Sequence, residues 1–352
     1  LPQRYNDVDM ICEKCNKKWI YPVQKCIYCK RNNTKKKVSR IKVIGMTKVL
    51  IPSPMHPIVP YSILLLQDEF GNKIPRKTMK EYKIGDVFTE EKAKTDDAVA
   101  FVKIKYDLYE AVNQSIDLLN GIGLSAKDKI LIKPSAVLPS YHYQAVATSP
   151  GVINTVIKIL SEIGIKKENI IVAEQALPGN DSADAVSKSG ILEVCKKNDV
   201  EFLDLSKENF EELEADGFKF RVFKEALHRK IINIPVMKTN SQLGISGAVE
   251  NLSRLVDLET QKEMYSQGIE NAFPKLAKSL DVFTIADATS GMQGQGPLTL
   301  GEPAFLNLIL ASRNPFALDA VFCEAAMLKI PNYIKANMID VEKIKPQIKK
   351  LA

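Results

Sequence analysis

The sequence predicts a multidomain chain: a metal-organised all-β region at the N-terminus, then an α/β domain with a largely parallel sheet. Three observations carry this reading. Cys12, Cys15, Cys26 and Cys29 form a CxxC–ten residues–CxxC array. Short alternating stretches broken by Gly and Pro continue to residue 105. From Tyr106 the pattern changes to apolar strands alternating with helical stripes.

The cysteine array comes first. Two close pairs each present two thiolates, and the intervening loop brings the pairs together around one ion. Four soft sulfur ligands suit a structural Zn2+, whose closed site leaves no open position for catalysis. An iron site and two disulfides are the alternatives. The N-terminal residues show no secretory pattern, which predicts a cytoplasmic protein and disfavours disulfides. Cys195 and Cys323 sit in apolar contexts and read as core.

The next stretches read as strands: Arg40–Val43, Thr47–Ile51, Tyr61–Gln67, Asn72–Pro75, Asp86–Thr89 and Ala98–Lys105. Gly45, Gly71 and Gly85 punctuate them, and Pro52, Pro54, Pro57 and Pro60 mark a long loop. So many short strands in so few residues fit a small Greek-key β-barrel such as an OB-fold. The expected boundaries are a metal ribbon over 8–37, the barrel over 38–105, the α/β domain over 106–335 and a tail over 336–352.

Charge separates the same regions. Residues 1–105 carry 22 Lys/Arg against 11 Asp/Glu, and residues 106–352 carry 27 against 31. The basic region attracts an anion: nucleic acid, a phosphorylated cofactor or an acidic protein surface. Lys17, Lys18, Arg31 and Lys36 supply charge there, and Trp19, Tyr21 and Tyr61 supply aromatic faces. Trp19, Tyr21 and Tyr28 crowd the ribbon and are not spaced along the barrel strands, which disfavours a single-stranded nucleic-acid binder. Trp19 and Tyr21 also fit a plain role as the ribbon's small core. No uncharged apolar run approaches the roughly 20 residues that span a bilayer, so no membrane partner is expected.

In the α/β domain, Leu108–Leu119 reads as an amphipathic helix. Ser149, Pro150 and the stripe Val152, Val156, Ile159, Leu160, Ile163 mark another that ends before Gly164. Strands are expected at Lys129–Ile132, Ile170–Ala173, Glu201–Leu205, Lys230–Ile234, Val282–Ala286 and Asn307–Ala311. Ligands of such sheets bind beyond the carboxyl ends of the strands. Lys133, Glu174, Lys238, Asp287 and Arg313 stand where five of these strands exit, and are expected to share one rim. Gly291, Gly294 and Gly296 follow Asp287 in a stretch that reads as a lid or pocket wall, with no helix opening there to hold a phosphate. Neither a GxSxG elbow nor a Walker loop is present. His56, His142 and His228 show no ligand spacing.

Two resemblances follow from these residues. "CEKCNKKWIYPVQKCIYC", "PYSILLLQDEFGNKIP" and "YKIGDVF" resemble domain of unknown function family 35, across 8–105. That resemblance implies a rubredoxin-like zinc ribbon joined to an OB-fold. It further implies an accessory subunit that binds acyl-CoA and associates with a thiolase-like or hydroxymethylglutaryl-CoA synthase-like enzyme. Coenzyme A has phosphates for the lysines and an adenine for the aromatics. "ILIKPS", "ATSPGVINTVIKILSEIG", "IIVAEQ", "IPVMKTN", "GISGAVENL", "TIADATSGMQGQGP" and "LILASRNPFALDAV" resemble domain of unknown function family 362, across 101–335. That family has no general agreed reaction, and many members carry a fused ferredoxin-like domain; no such cluster motif stands here beyond the ribbon. Its members usually read Lys-Pro-Asn, Lys-Thr-His and Lys-Asn where this chain has Lys133-Pro134-Ser135, Lys238-Thr239-Asn240 and Glu250-Asn251. Loss of the histidine removes the side chain best suited to proton transfer near neutrality. The resemblances together imply an accessory protein whose α/β domain is a scaffold or a second small-molecule site. An enzyme centred on the rim, with the N-terminal region as its delivery arm, is the alternative. The pocket candidates are Lys133, Glu174, Lys238, Asn240, Asn251, Asp287, Gly294 and Gly296.

Overall fold

A computed structural model describes residues 9–12, 14–19, 25–26, 28–31, 33–36, 40–51, 60–69, 71, 73–78, 81–89, 98–104, 107–337 and 348–350. The chain divides into two compact units, Leu1–Lys94 with Lys349–Ala352, and Thr95–Ile348.

Among its described residues the first unit holds two antiparallel sheets. β1 (Asp9–Cys12) lies between β2 (Lys18–Trp19) and β3 (Asn33–Lys36). A second sheet is built from β4 (Arg40–Val49), β5 (Tyr61–Asp68), β6 (Lys73–Thr78) and β7 (Val87–Thr89), in the order β6-β5-β4-β7. Ile41, Val43, Leu64 and Leu66 are buried within it. The two strands expected at 40–43 and 47–51 are one. Gly45 sits at a register shift against β5, so the glycine bends the ladder without ending it.

The second unit begins with β8 (Val99–Lys103), the segment expected to close the barrel. It pairs antiparallel with a strand of the large sheet, where Val99, Ala100 and Val102 are buried. A five-residue apolar strand carries no mark of which sheet will take it. Then come α1 (Leu108–Leu118), β9 (Ile130–Pro134), α2 (Pro150–Glu162), β10 (Ile170–Glu174), α3 (Ser182–Lys188), α4 (Ile191–Asn198) and β11 (Glu201–Asp204). A hairpin of β12 (Phe210–Ala215) and β13 (Phe218–Phe223) leads through α5 (Lys224–His228) to β14 (Lys230–Ile234), β15 (Val236–Asn240) and β16 (Gly244–Ser246). The chain continues through α6 (Ala248–Leu252), α7 (Leu258–Ser266), α8 (Ile269–Lys278), β17 (Val282–Gly294), β18 (Gly301–Ser312), α9 (Pro315–Ala325) and α10 (Asn332–Lys335).

The large sheet runs β11-β10-β9-β14-β17-β18-β8, with β15 and β16 beside β17. The first five strands are parallel; β18 runs against them, and β8, antiparallel to β18, runs with them. β9 and β10 are buried along their whole length, as a sheet covered on both faces requires. From β9 the chain winds outward through β10 and β11, then returns to lay β14 and β17 on the other side. The strand order therefore reverses between β9 and β14, where parallel sheets of this kind hold their ligands.

Two expectations change. β17 does not end at Asp287 but runs to Gly294 and turns into β18, so the glycine-rich stretch is strand and hairpin. The glycines permit close strand packing: a Cβ on Gly296 would lie 2.2 Å from the Thr239 carbonyl oxygen, and one on Gly291 would lie 2.8 Å from that of Met237. Because β18 is antiparallel, Arg313 leaves the sheet at the opposite end from Lys133. There its guanidinium donates to the carbonyls of Ile122 and Gly121 (3.2 and 2.7 Å) behind α1.

Asp319, inside α9, fixes the start of α6. Its carboxylate accepts the amides of Ala248 and Val249 at 2.7 and 3.0 Å. Gly247 makes room, since a Cβ there would lie 2.2 Å from Asp319 Oδ1. Burial pushes the Asp319 carboxyl up to about 7. From about pH 4 to about pH 7 the folded chain therefore keeps a proton that the unfolded chain releases, and stability falls as pH rises through that window. Asp319→Asn is expected to flatten this fall in the urea midpoint; a slope equal to that of the parent contradicts the assignment.

Candidate functional site

The two CxxC segments fold as equivalent knuckles. In the first, Cys12 N–H donates to Lys17 O and Asn16 N–H to Cys12 O; in the second, Cys26 N–H donates to Arg31 O and Lys30 N–H to Cys26 O. Asn16 and Lys30 both take left-handed backbone, φ 54° and 56°, which turns each chain sharply behind its cysteines. All four sulfurs lie within 4.8 Å of one another. Cys12 and Cys29 are 3.2 Å apart, Cys15 and Cys26 3.5 Å, and Cys15 and Cys29 3.8 Å. Tetrahedral zinc with bonds of about 2.3 Å places its sulfurs about 3.8 Å apart, so the cluster fits a metal ion such as zinc. The amide of Cys15 lowers the Cys12 thiol to about 6, and the amide of Cys29 lowers that of Cys26. Each knuckle thus favours one thiolate before any metal arrives.

Of the other residues expected near the ribbon, Lys17 and Arg31 are exposed. The Lys17 ammonium lies 3.4 Å from the centre of the Tyr28 ring. The side chains of Lys18, Trp19 and Lys36 and all of Tyr21 lie outside the described part. Tyr61 is buried at the start of β5. It borders a cavity of about 520 Å³ with Met46, Lys48, Pro60, Ser62, Glu81, Tyr82, Lys83 and Asp86. Sequence reasoning missed Lys48, on β4, and the adjacent Tyr82 and Lys83, on the segment before β7, because nothing local links the two places.

In the second unit the carboxyl ends of the parallel strands form a buried polar cluster. Lys133, on β9, pairs with Glu174, on β10, at 2.8 Å, and both side chains are fully buried. Lys133 Nζ also donates to Pro134 O at 2.8 Å. Glu174 accepts the Gln175 amide on Oε1 and the Ala136 amide on Oε2, each at 2.9 Å. Burial lowers the Lys133 amine and Glu174 opposes that shift. The strands are held at the switch by Thr148, which accepts from Ser135 N–H and donates to Ile234 O. Asn251 donates to Asn233 Oδ1 at 2.8 Å and to the carbonyls of Lys133 and Pro134 at 3.2 and 3.3 Å.

Lys238, on β15, is buried, and its amine donates to Val146 O at 3.3 Å. Burial lowers it, against the pull of Glu250 and Glu174. Two other expected residues have local work. Asn240 accepts the amides of Gln242 and Leu243 and so closes the β15–β16 turn. Asp287 accepts the Ser149 amide at 2.7 Å and the Thr289 amide at 3.0 Å. Its carboxylate thereby occupies the start of α2, the place where a dinucleotide-binding sheet would receive a pyrophosphate. Gly294 turns the hairpin with φ 78°. Lys133, Glu174, Lys238 and Asn251 are therefore brought together, while Asn240, Asp287, Gly294 and Gly296 serve the frame around them.

Asn233, Arg254 and Gln175 are buried members of the cluster that sequence reasoning missed. Asn233 was legible as the polar residue interrupting "KIINIPVM". Arg254 donates to Gln261 Oε1 at 2.7 Å and to Ala176 O at 2.9 Å, and Gln175 donates to Arg254 O and Val256 O.

The metal site has a direct check. The purified chain is expected to hold one zinc per molecule by elemental analysis, and Cys12→Ser with Cys26→Ser to lose it and unfold the first unit. Metal-free protein with unchanged proteolytic resistance of residues 1–94 would contradict this.

No curated protein matches the chain. The family model described as Domain of unknown function (DUF362) matches residues 130–324, more than half of the 352 residues. The matched span opens on the first residue of β9 and closes within α9, enclosing the whole switch-point cluster, and the chain belongs to the DUF362 family.

Proposed function

We propose that the chain is a cytoplasmic acyl-CoA-binding accessory protein. In this reading the first unit is a rubredoxin-like zinc ribbon with an OB-fold barrel. It binds the coenzyme A thioester and docks a thiolase-like or hydroxymethylglutaryl-CoA synthase-like enzyme. The α/β unit is a scaffold or a second small-molecule site. The resemblance of residues 8–105 to family 35 supports this, and one observation carries it: the cavity bordered by Lys48, Tyr61, Tyr82 and Lys83, with Glu81 and Asp86 also in its lining. Two lysines offer charge to the phosphates of coenzyme A, and tyrosine rings offer a face to its adenine. A closed four-thiolate metal site supplies rigidity there and no chemistry.

A second reading places an enzyme at the switch point, favoured by the buried Lys133–Glu174 pair with Lys238 beside it. Strongly desolvated ionisable groups at strand ends are the usual mark of reactive sites.

Calorimetry with acetyl-CoA and acetoacetyl-CoA, together with co-purification from the native source, separates the two. Binding weakened about tenfold by Lys48→Ala or Lys83→Ala, and recovery of a thiolase-superfamily partner, support the accessory reading. Absence of both binding and partner removes it. Glu174→Gln, which keeps the shape of the pair, decides the second reading: unchanged turnover in the reconstituted complex means the rim is not catalytic.

A further inference from the structure

The ion pair of Lys133 and Glu174 has no exposed surface, so a molecule that meets it must first displace one of its covers. Two elements close over this end of β9. One is α6, which Asn251 ties to the carbonyls of Lys133 and Pro134 and to Asn233. Asp319 ties the first turn of α6 to α9 in addition, so this cover is bonded on two sides. The other is the segment from Ser135 to Thr148, which joins β9 to α2. It crosses the carboxyl ends of four neighbouring parallel strands. Ser135 follows β9, and Val137 O accepts the Leu177 amide beyond β10 at 2.7 Å. Thr148 donates to Ile234 O at the end of β14, and Ser149 to Asp287 of β17, both at 2.7 Å.

This segment has the build of a compact Ω-loop, whose ends meet and whose body packs on itself. Its ends are clasped: Ser135 N–H donates to Thr148 Oγ1 and Thr148 N–H to Ser135 O, both at 2.8 Å. Within it, Gln144 N–H donates to Tyr141 O and Ala145 N–H to His142 O, both at 3.0 Å. Gln144 Oε1 accepts the Tyr141 amide at 2.9 Å, and the Tyr141 and Tyr143 rings stack at 5.2 Å. Ala145 takes left-handed backbone, φ 58°, and turns the chain back. Against this internal bonding, the attachments of residues 137–147 to the rest of the unit are few among the described residues. The Leu177 amide reaches Val137, and the Lys238 amine reaches Val146 O at 3.3 Å. Lys188 Nζ, at the end of α3, lies 5.2 Å from the centre of the Tyr141 ring. Ala145 and Val146 share a small apolar cluster with Met292 and Leu298. The Lys238 bond requires only an N–H donor, which a neutral amine supplies as well as a charged one.

We propose that residues 137–147 are a lid that lifts as one body from the Lys133–Glu174 pair. It is hinged at the Ser135–Thr148 clasp and latched by Lys238 on Val146 O, while α6 stays in place. Lifting breaks one backbone hydrogen bond, the lysine latch, the Lys188–Tyr141 contact and a small apolar contact. It leaves the parallel ladder intact, so the opening is local and not a step of global unfolding. The pair is thus closed to water at rest and open to a small molecule when the lid lifts. Tyr141, His142 and Tyr143 are exposed on the lid. The inference concerns access to the switch point and stands or falls independently of acyl-CoA binding by the first unit.

The test reads lid opening in the full chain by two independent signals. Hydrogen exchange followed by mass spectrometry reports the Leu177 amide, and acetylation by N-hydroxysuccinimidyl acetate reports the Lys133 amine. In the parent, Leu177 is expected to exchange at least tenfold faster than the amides of β9 and β10. Lys238→Met removes the latch at similar side-chain length. It is expected to raise both Leu177 exchange and Lys133 acetylation about tenfold. Exchange of β9 and β10 and acetylation of the exposed Lys196 should not change. Leu298→Ala trims a half-buried side chain of the apolar contact and should raise both signals together; it decides the matter if Lys238→Met does not fold. Leu177 exchanging only in step with the strands overturns the proposal. So does a pair of variants that leaves Leu177 unchanged, or Lys133 acetylation that fails to rise with Leu177 exchange.

Discussion

The buried ion pair between Lys133 and Glu174 is the constraint around which the second unit is arranged. Two full charges have been withdrawn from water at the ends of adjacent parallel strands, where the strand order reverses. Such a pair holds only if its remaining valences are filled. The amides of Ala136 and Gln175 fill those of Glu174, and the Pro134 carbonyl takes one from Lys133. Pro134 is the last residue of β9, and Ala136 and Gln175 follow β9 and β10, so the pair dictates how both strands leave the sheet. Asn251, from α6, then reads the backbone of the same exit through the Lys133 and Pro134 carbonyls. Asp319 fixes α6 in turn through the amides of Ala248 and Val249. A chain of directional bonds therefore runs from the ion pair to α9.

This arrangement is costly for stability alone. Isosteric apolar residues commonly replace a buried pair without loss, so charge kept at the ligand end of a parallel sheet points to use. The first unit follows a different economy. Its sheets are small, and its four cysteines sit on two matched knuckles, so a metal ion would supply the cohesion that a small core cannot. One unit is clamped and presents a cavity; the other encloses a charged cluster at a switch point.

Much of this was legible in the sequence. Periodicity located β9, β10, β14 and α2, because strands covered on both faces must be continuously apolar and a helix on a sheet must show one stripe. The cysteine spacing located the cluster, because ligand spacing is local. What failed was non-local. Gly45 read as a break because a bulge and a turn use the same residue. Arg313 seemed to share a rim with Lys133 because nothing in an apolar strand states its direction, and β18 runs antiparallel. Gly291 and Gly296 read as a loop, whereas they let β15 and β17 approach each other. Arg254 and Asp319 were hidden for the same reason: a buried charge is recognised by partners distant in the chain, although a lone Asp in "FALDAVF" is a readable anomaly.

The central claim is that the Lys133–Glu174 pair directs how the strands leave the sheet without adding net stability to the fold. A double-mutant cycle on the pair tests it most directly, with Lys133→Met, Glu174→Leu and the double variant compared by urea denaturation. The single changes should each cost about 3–5 kcal/mol, since each strands a buried charge. The double variant should recover to the parent's stability or above it. A double variant as unstable as the singles would contradict the claim and make the ion pair a net source of stability.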